Sequence, residues 1–137
     1  MNKSLWREAY VEISSSGVLG RKDANVDSFT YSDTAEDYLL NALKAVADLS
    51  HNSQELASLI KDWPSEYHLS QVRGNILRPF ASLLSGQKSV LEIGCGCGAI
   101  TRQLGQMGAE VIALEGAFSR ALVTRERCRD LKNITVV

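Results

Sequence analysis

Between residues 39 and 47 the apolar positions Leu39, Leu40, Leu43, Val46 and Ala47 recur every three or four residues, the spacing of one face of an α-helix. Asp33 and, three residues on, Glu36 predict a capping box at its start. The stretch "SHNSQELASLIKDW" predicts a shorter helix, with Ser53 as N-cap and Leu56, Leu59 and Ile60 on one side. Trp63-Pro64 is expected to end it, because proline pushes the preceding residue out of the α region. In "SEYHLSQVRGNILRPFASLLSG" the series Leu69, Val72, Ile76, Leu77, Phe80, Leu83 and Leu84 is again helical, with Pro79 forcing a kink or break and Gly86 closing it as a C-cap. Upstream, Leu5 to Ile13 runs into "SSSGVLGRKDANVDS", whose Ser, Gly and Asp predict a loop rather than a continuous helix.

After Gly86 the period changes. "KSVLEIG" is a short strand pattern, "AITRQLGQMG" a helix closed by Gly108, "EVIALEG" a second strand, "AFSRALVTRERCRDLKN" another helix and "ITVV" a third strand. Strand, helix, strand, helix, strand with short connections is half of a doubly wound parallel sheet. The expected organisation is an α/β fold, with a helical segment over residues 1–86 and a partial Rossmann-like sheet over 87–137.

Composition narrows the function. The 137 residues are 45% hydrophobic and 23% charged, with a formal net charge of -1, which fits one soluble domain with a real core. Acidic and basic residues are interspersed, so nothing resembles the basic stripe of a nucleic-acid binder. No apolar run approaches the ~20 residues needed to cross a bilayer, and the start "MNKSLWREAYVEI" lacks the apolar stretch of a signal peptide. A cytoplasmic protein is expected. Cys95, Cys97 and Cys128 are an odd set with two members inside one glycine loop, which suits reduced thiols better than disulfides.

That loop, in "VLEIGCGCGAITRQLG", carries the candidate chemistry. A strand running through glycines into a helix brings backbone amides and a positive helix end against a ligand. Gly94, Gly96 and Ala99 satisfy the G-x-G-x-x-A spacing of a dinucleotide loop, and Glu115 ends the next strand where a ribose-binding acid belongs. Two residues argue against NAD: Gly98 makes the spacing G-x-G-x-G, and Glu92 sets a carboxylate close to where a pyrophosphate would lie. Cys95 and Cys97, with one intervening residue and no His or second Cys pair nearby, fall short of a tetrahedral metal site and read as small loop-filling residues. A cationic, phosphate-free cofactor suits the loop better, and S-adenosyl-L-methionine, with a sulfonium and an ammonium, is one.

"VLEIGCGCGAITRQLGQMGAEVIALEGA" resembles the first two motifs of class I S-adenosylmethionine-dependent methyltransferases, with E-x-G-x-G-x-G at Glu92, Gly94, Gly96 and Gly98. The resemblance covers about Ser89 to Val137. It implies that the loop around Cys95 wraps the methionine part of the cofactor, that Glu92 holds its amino group directly or through water, that Glu115 takes the ribose hydroxyls, and that Gly116 and Ala117 lie near the adenine edge. It also implies that a helix before the first strand covers the cofactor, so that Tyr67, His68 and Arg73 line the entrance or meet its carboxylate. "YSDTAEDYLL" and "DWPSEYHLSQVRGNILRPF" resemble, more loosely, the segment preceding the methyltransferase domain in bacterial proteins associated with glycosyltransferases and surface-polysaccharide synthesis, which implies a carbohydrate or glycolipid acceptor.

The family's sheet continues past the three strands present here, so a truncated donor half with strands ordered 3-2-1 is expected, inactive by itself. Its first strand, Ser89 to Ile93, would then be an open edge that dimerises or is covered, for instance by Leu5 to Ile13. A non-catalytic assembly module and, more remotely, an NAD-dependent oxidoreductase are the competing classes. The remaining marked residues have plainer readings. Cys128 is expected packed or half-exposed, His51 a surface or capping residue, Trp6 and Trp63 core or interface anchors, and the run Arg125 to Asp130 a solvated helix face.

Overall fold

The computed structural model describes residues 8–25, 29, 31, 34–86 and 88–137. Leu5, Trp6 and Asp33 lie outside them. Three five- or three-residue apolar runs, β3 (Ser89–Ile93), β4 (Glu110–Leu114) and β5 (Ile134–Val136), form a parallel sheet in the order β3-β4-β5. The register runs from Ser89↔Glu110 to Ile93↔Leu114 and from Val111↔Ile134 to Ala113↔Val136. The parallel connections are α5 (Ala99–Gln106) and α6 (Phe118–Arg127), as parallel pairing requires. The fold is mixed α/β, a three-stranded parallel sheet flanked by helices.

The N-terminal region adds a hairpin of β1 (Tyr10–Glu12) and β2 (Leu19–Arg21). Val18, 2% exposed, makes a parallel bridge to Val136, so the hairpin sits beside β5. The described part of Leu5 to Ile13 therefore pairs within its own hairpin and leaves β3 at the other edge of the sheet. Leu91 is 57% and Ile93 78% exposed there.

The helical region is α1 (Glu36–Ala45), α2 (Gln54–Ser58), α3 (Trp63–Leu69), a 3-10 helix (Gln71–Phe80) and α4 (Ala81–Leu84). The predicted amphipathic face of α1 is buried: Leu39 and Leu43 pack with Leu56 and Leu69 in an apolar cluster that also takes in Cys97 of the glycine loop and Val123 of α6. One core is thus shared across Gly86. A second cluster, with Val111, Ala113, Cys128 and Val136, fills the sheet side.

Four expectations are corrected. Pro64 begins α3 instead of ending α2, because Asp62 and Ser65 form a reciprocal capping box that starts a new helix with proline in its first turn. The long apolar series from Val72 to Leu84 is not one buried helical face. Its first part winds as the 3-10 helix Gln71–Phe80, which contains Pro79, and Val72, Ile76, Phe80 and Leu83 remain exposed. The run Arg125 to Asp130 is a solvated face only in part: Arg129 and Asp130 are exposed, but Arg127 and Cys128 are buried at the end of α6, which lies against α1. Arg127 is 2% exposed and its Nη1 donates to the His68 carbonyl at 2.6 Å, while Arg129 donates to the carbonyls of Leu43 and Val46 at the end of α1. These arginines satisfy helix-end carbonyls that have no intrahelical partner. Trp63, 68% exposed, is no core anchor either.

Candidate functional site

The glycine loop turns from β3 into α5 through three left-handed residues, Gly94 (φ +74°), Gly96 (φ +58°) and Gly98 (φ +77°). The Gly94 and Cys95 amides both donate to the Leu114 carbonyl, which ties the loop's first turn to the end of β4. At Gly98 glycine is required twice over, by φ and by contact: a Cβ would stand 3.0 Å from the Thr124 backbone of α6. At Gly94 and Gly96 a Cβ would meet nothing within 4 Å, so the outer side of the loop is open space. Gly98→Ala is therefore expected to destabilise the fold by about 1–3 kcal/mol, and Gly94→Ala by less, since only the dihedral penalty applies there. Urea denaturation midpoints at unchanged m check both.

Glu115 follows β4, and its carboxylate reaches into the loop. Oε2 accepts from the Gly96 amide at 2.7 Å and Oε1 from the Ala117 amide at 2.9 Å. A residue nineteen positions downstream thus fixes the middle glycine. Thr124 completes the cradle from α6, donating to the Gly96 carbonyl at 2.7 Å.

Glu92 sits beneath the loop, where Thr101 in the first turn of α5 donates to its Oε2 at 2.7 Å. Burial pushes its pKa above the ordinary 4.5, with the Thr101 hydrogen bond opposing. The folded protein therefore holds this proton more tightly than the unfolded chain, so stability from this group is present at low pH and lost as pH rises from about 4.5 through the folded value. Glu92→Gln keeps a partner for Thr101 and removes the desolvated charge. At pH 7 the variant is expected to be as stable as the parent or more so, with the difference shrinking toward pH 4 in urea titrations.

The other candidate residues divide into two groups. Cys95 is 7% exposed, with its side chain in the core and its thiol pushed up to about 12 by burial; Cys128 is fully buried with a thiol likewise pushed up to about 12 by burial. These are neutral packing groups. Among the described residues no three His, Cys, Asp or Glu side chains converge as a metal site would need. Ala117, 1% exposed, offers only its backbone, whereas Gly116 is exposed.

Tyr67 and Arg73 come together outside the loop. The Arg73 guanidinium lies 3.9 Å from the Tyr67 ring centroid, and Trp63 stacks on the other end of this ladder at 5.4 Å from Tyr67. Its link to the glycine loop is His68, 4% exposed, whose Nε2 is 4.0 Å from Cys97 Sγ. Residues that the sequence does not single out are Thr101, Thr124 and Phe29. Phe29 is half-exposed and lies so close to Gly116 that a Cβ there would stand 3.2 Å from its ring. Thr101 and Thr124 have only their helix positions as a signal, and Phe29 has none.

No family model matches the chain, and comparison with curated proteins gives no significant match. No helix among the described residues is long and apolar enough to cross a membrane.

Proposed function

We propose that this chain binds S-adenosyl-L-methionine and forms the donor-binding part of a class I methyltransferase with a Rossmann-like sheet. The observation that carries the reading is the hydrogen bond from the Gly96 amide to the Glu115 carboxylate. In a dinucleotide site that amide would be turned to a pyrophosphate. Here a carboxylate already occupies it, and Glu92 lies at the same turn, so an anionic ligand would meet negative charge where a sulfonium and an ammonium would be attracted. Open space outside Gly94 and Gly96 leaves room for the methionine portion.

Each Glu115 oxygen keeps a lone pair beyond its amide bond, enough to accept the two ribose hydroxyls. Gly116 and the Phe29 ring would border the adenine, and the Tyr67–Arg73 ladder would flank the methionine carboxylate. The bound cofactor supplies an electrophilic methyl group; the residues named here hold and orient it. A carbohydrate or glycolipid acceptor rests on the resemblance of the upstream segment alone. Free thiols at all three cysteines suit a reducing compartment, hence a cytoplasmic site of action.

Calorimetry with S-adenosylmethionine and S-adenosylhomocysteine tests the reading: saturable heat is expected, and none at millimolar cofactor overturns it. Glu92→Gln should weaken that binding by about tenfold, the worth of one charge-assisted contact, while leaving stability unharmed.

The exposed β3 edge favours a second reading, assembly through that strand. A parallel edge carrying Leu91 and Ile93 in solvent is a template for strand pairing. A monomer by light scattering at high concentration, with fast amide exchange along Ser89–Ile93, would sink it.

A further inference from the structure

At the far end of α5 from the glycine loop lies a cleft of about 610 Å³, within the size range of small-molecule sites. One wall is the ridge Val72, Asn75, Arg78 of the 3-10 helix, where residues three apart eclipse one another. The facing wall is Gln103, Gln106 and Met107 at the end of α5, and His51, Asn52 and Gln71 close one end.

The walls meet at Gly74. A Cβ there would fall 1.8 Å from Gln103 Oε1 and 2.2 Å from His51 Cε1, so this glycine lets the two walls approach. The cleft end is built by two hydrogen bonds, from the His51 amide to Gln106 Oε1 at 2.8 Å and from Gln71 Nε2 to the Asn52 carbonyl at 2.9 Å. Gln103 Oε1 is buried without a partner.

The lining is chemically one-sided. Five carboxamides, Asn52, Gln71, Asn75, Gln103 and Gln106, each carry donor and acceptor side by side, the complement of a hydroxyl group. No carboxylate is among the lining residues, and Arg78, which takes part in none of the ion pairs among the described residues, is their single full charge. His51 is held below its ordinary pKa, by burial first and by the Arg127 and Arg78 cations after it, so it presents a neutral imidazole near pH 7. The carbonyl end of α5 repels an anionic group and accepts hydroxyl donors, which leaves Arg78 as the place for the anion.

We propose that this cleft is a second small-molecule site, for a hydroxyl-rich anion of sugar-phosphate size, with Arg78 on the anionic group and the carboxamides on the hydroxyls. It is independent of the methyl-donor reading. The test is titration of the whole protein with glucose 6-phosphate, gluconate and inorganic phosphate, followed through the imidazole NMR signals of His51, with His68 at the other end of α5 as internal reference. Saturable shifts of His51 with either hydroxylated anion are expected, the phosphate ester and the carboxylate distinguishing the two head groups. Arg78→Gln, an exposed position, should weaken them by about tenfold or more. Saturating S-adenosylhomocysteine should leave them in place. The assignment is overturned by no saturable shift at millimolar ligand, by equal binding in Arg78→Gln, by inorganic phosphate binding as tightly as its sugar ester, or by displacement with S-adenosylhomocysteine.

Discussion

Glu36→Ala is expected to destabilise the fold by about 3 kcal/mol, the lower end of what breaking a buried ion pair costs. Glu36 opens α1, and its Oε1 receives Arg120 Nε of α6 at 2.9 Å, with side chains only 7% and 12% exposed. Truncating the carboxylate leaves a desolvated guanidinium without this counter-charge. The Tyr31 ring, 4.3 Å from the Arg120 guanidinium carbon, still faces it, which keeps the loss at the lower end. The pair joins the helical region to the α/β half, so the whole urea transition should shift as one. Glu36→Met with Arg120→Met should recover most of the loss, because two apolar side chains need no counter-charge. A single-variant loss below about 1 kcal/mol would mean that solvent screens the pair as it does at a surface.

Glu36 also illustrates what is legible in the sequence. Its helix is readable from Leu39 and Leu43, since a 3.6-residue period is local information. The capping box expected with Asp33 does not place its start: the helix is capped at Ala35 with no side-chain cap hydrogen bond, Glu36 is its first residue, and the tie to Arg120, eighty-four positions away, leaves no local mark. The same contrast runs through the chain. The three parallel strands and two connecting helices stand out because the first two apolar runs are each bounded by glycines and the third follows the polar Lys132-Asn133, and Gly94, Gly98 and Gly108 do adopt left-handed turns. The segment from Val72 to Leu84 misleads because spacing says which residues share a face without saying whether anything covers it. Arg127 misleads because charge predicts solvent only where no helix end needs a donor. Of the candidate site, the loop and both acids are visible as residue types; the direction of each carboxylate is not. Glu92 faces Thr101, and Glu115 faces the loop itself.

That direction sets the largest expected effect on binding. Glu115→Ala removes the acceptor of the Gly96 and Ala117 amides, and Ala117 is too buried for water to replace it readily. On the proposed reading, affinity for S-adenosylhomocysteine should fall by about a hundredfold or more, because the variant would forfeit two charge-assisted hydrogen bonds to the ribose along with the shape of the loop. Glu115→Gln should fall between, because its single oxygen can hold one amide while its NH2 opposes the other. The sign of a second measurement separates the donor reading from the dinucleotide one. If the carboxylate excludes phosphate from the loop, removing it frees the Gly96 amide, so NADH fluorescence should report tighter binding to Glu115→Ala than to the parent. If Glu115 instead serves the ribose of a dinucleotide, the substitution should weaken NADH, and a parent protein that prefers NADH to S-adenosylhomocysteine would overturn the methyl-donor assignment.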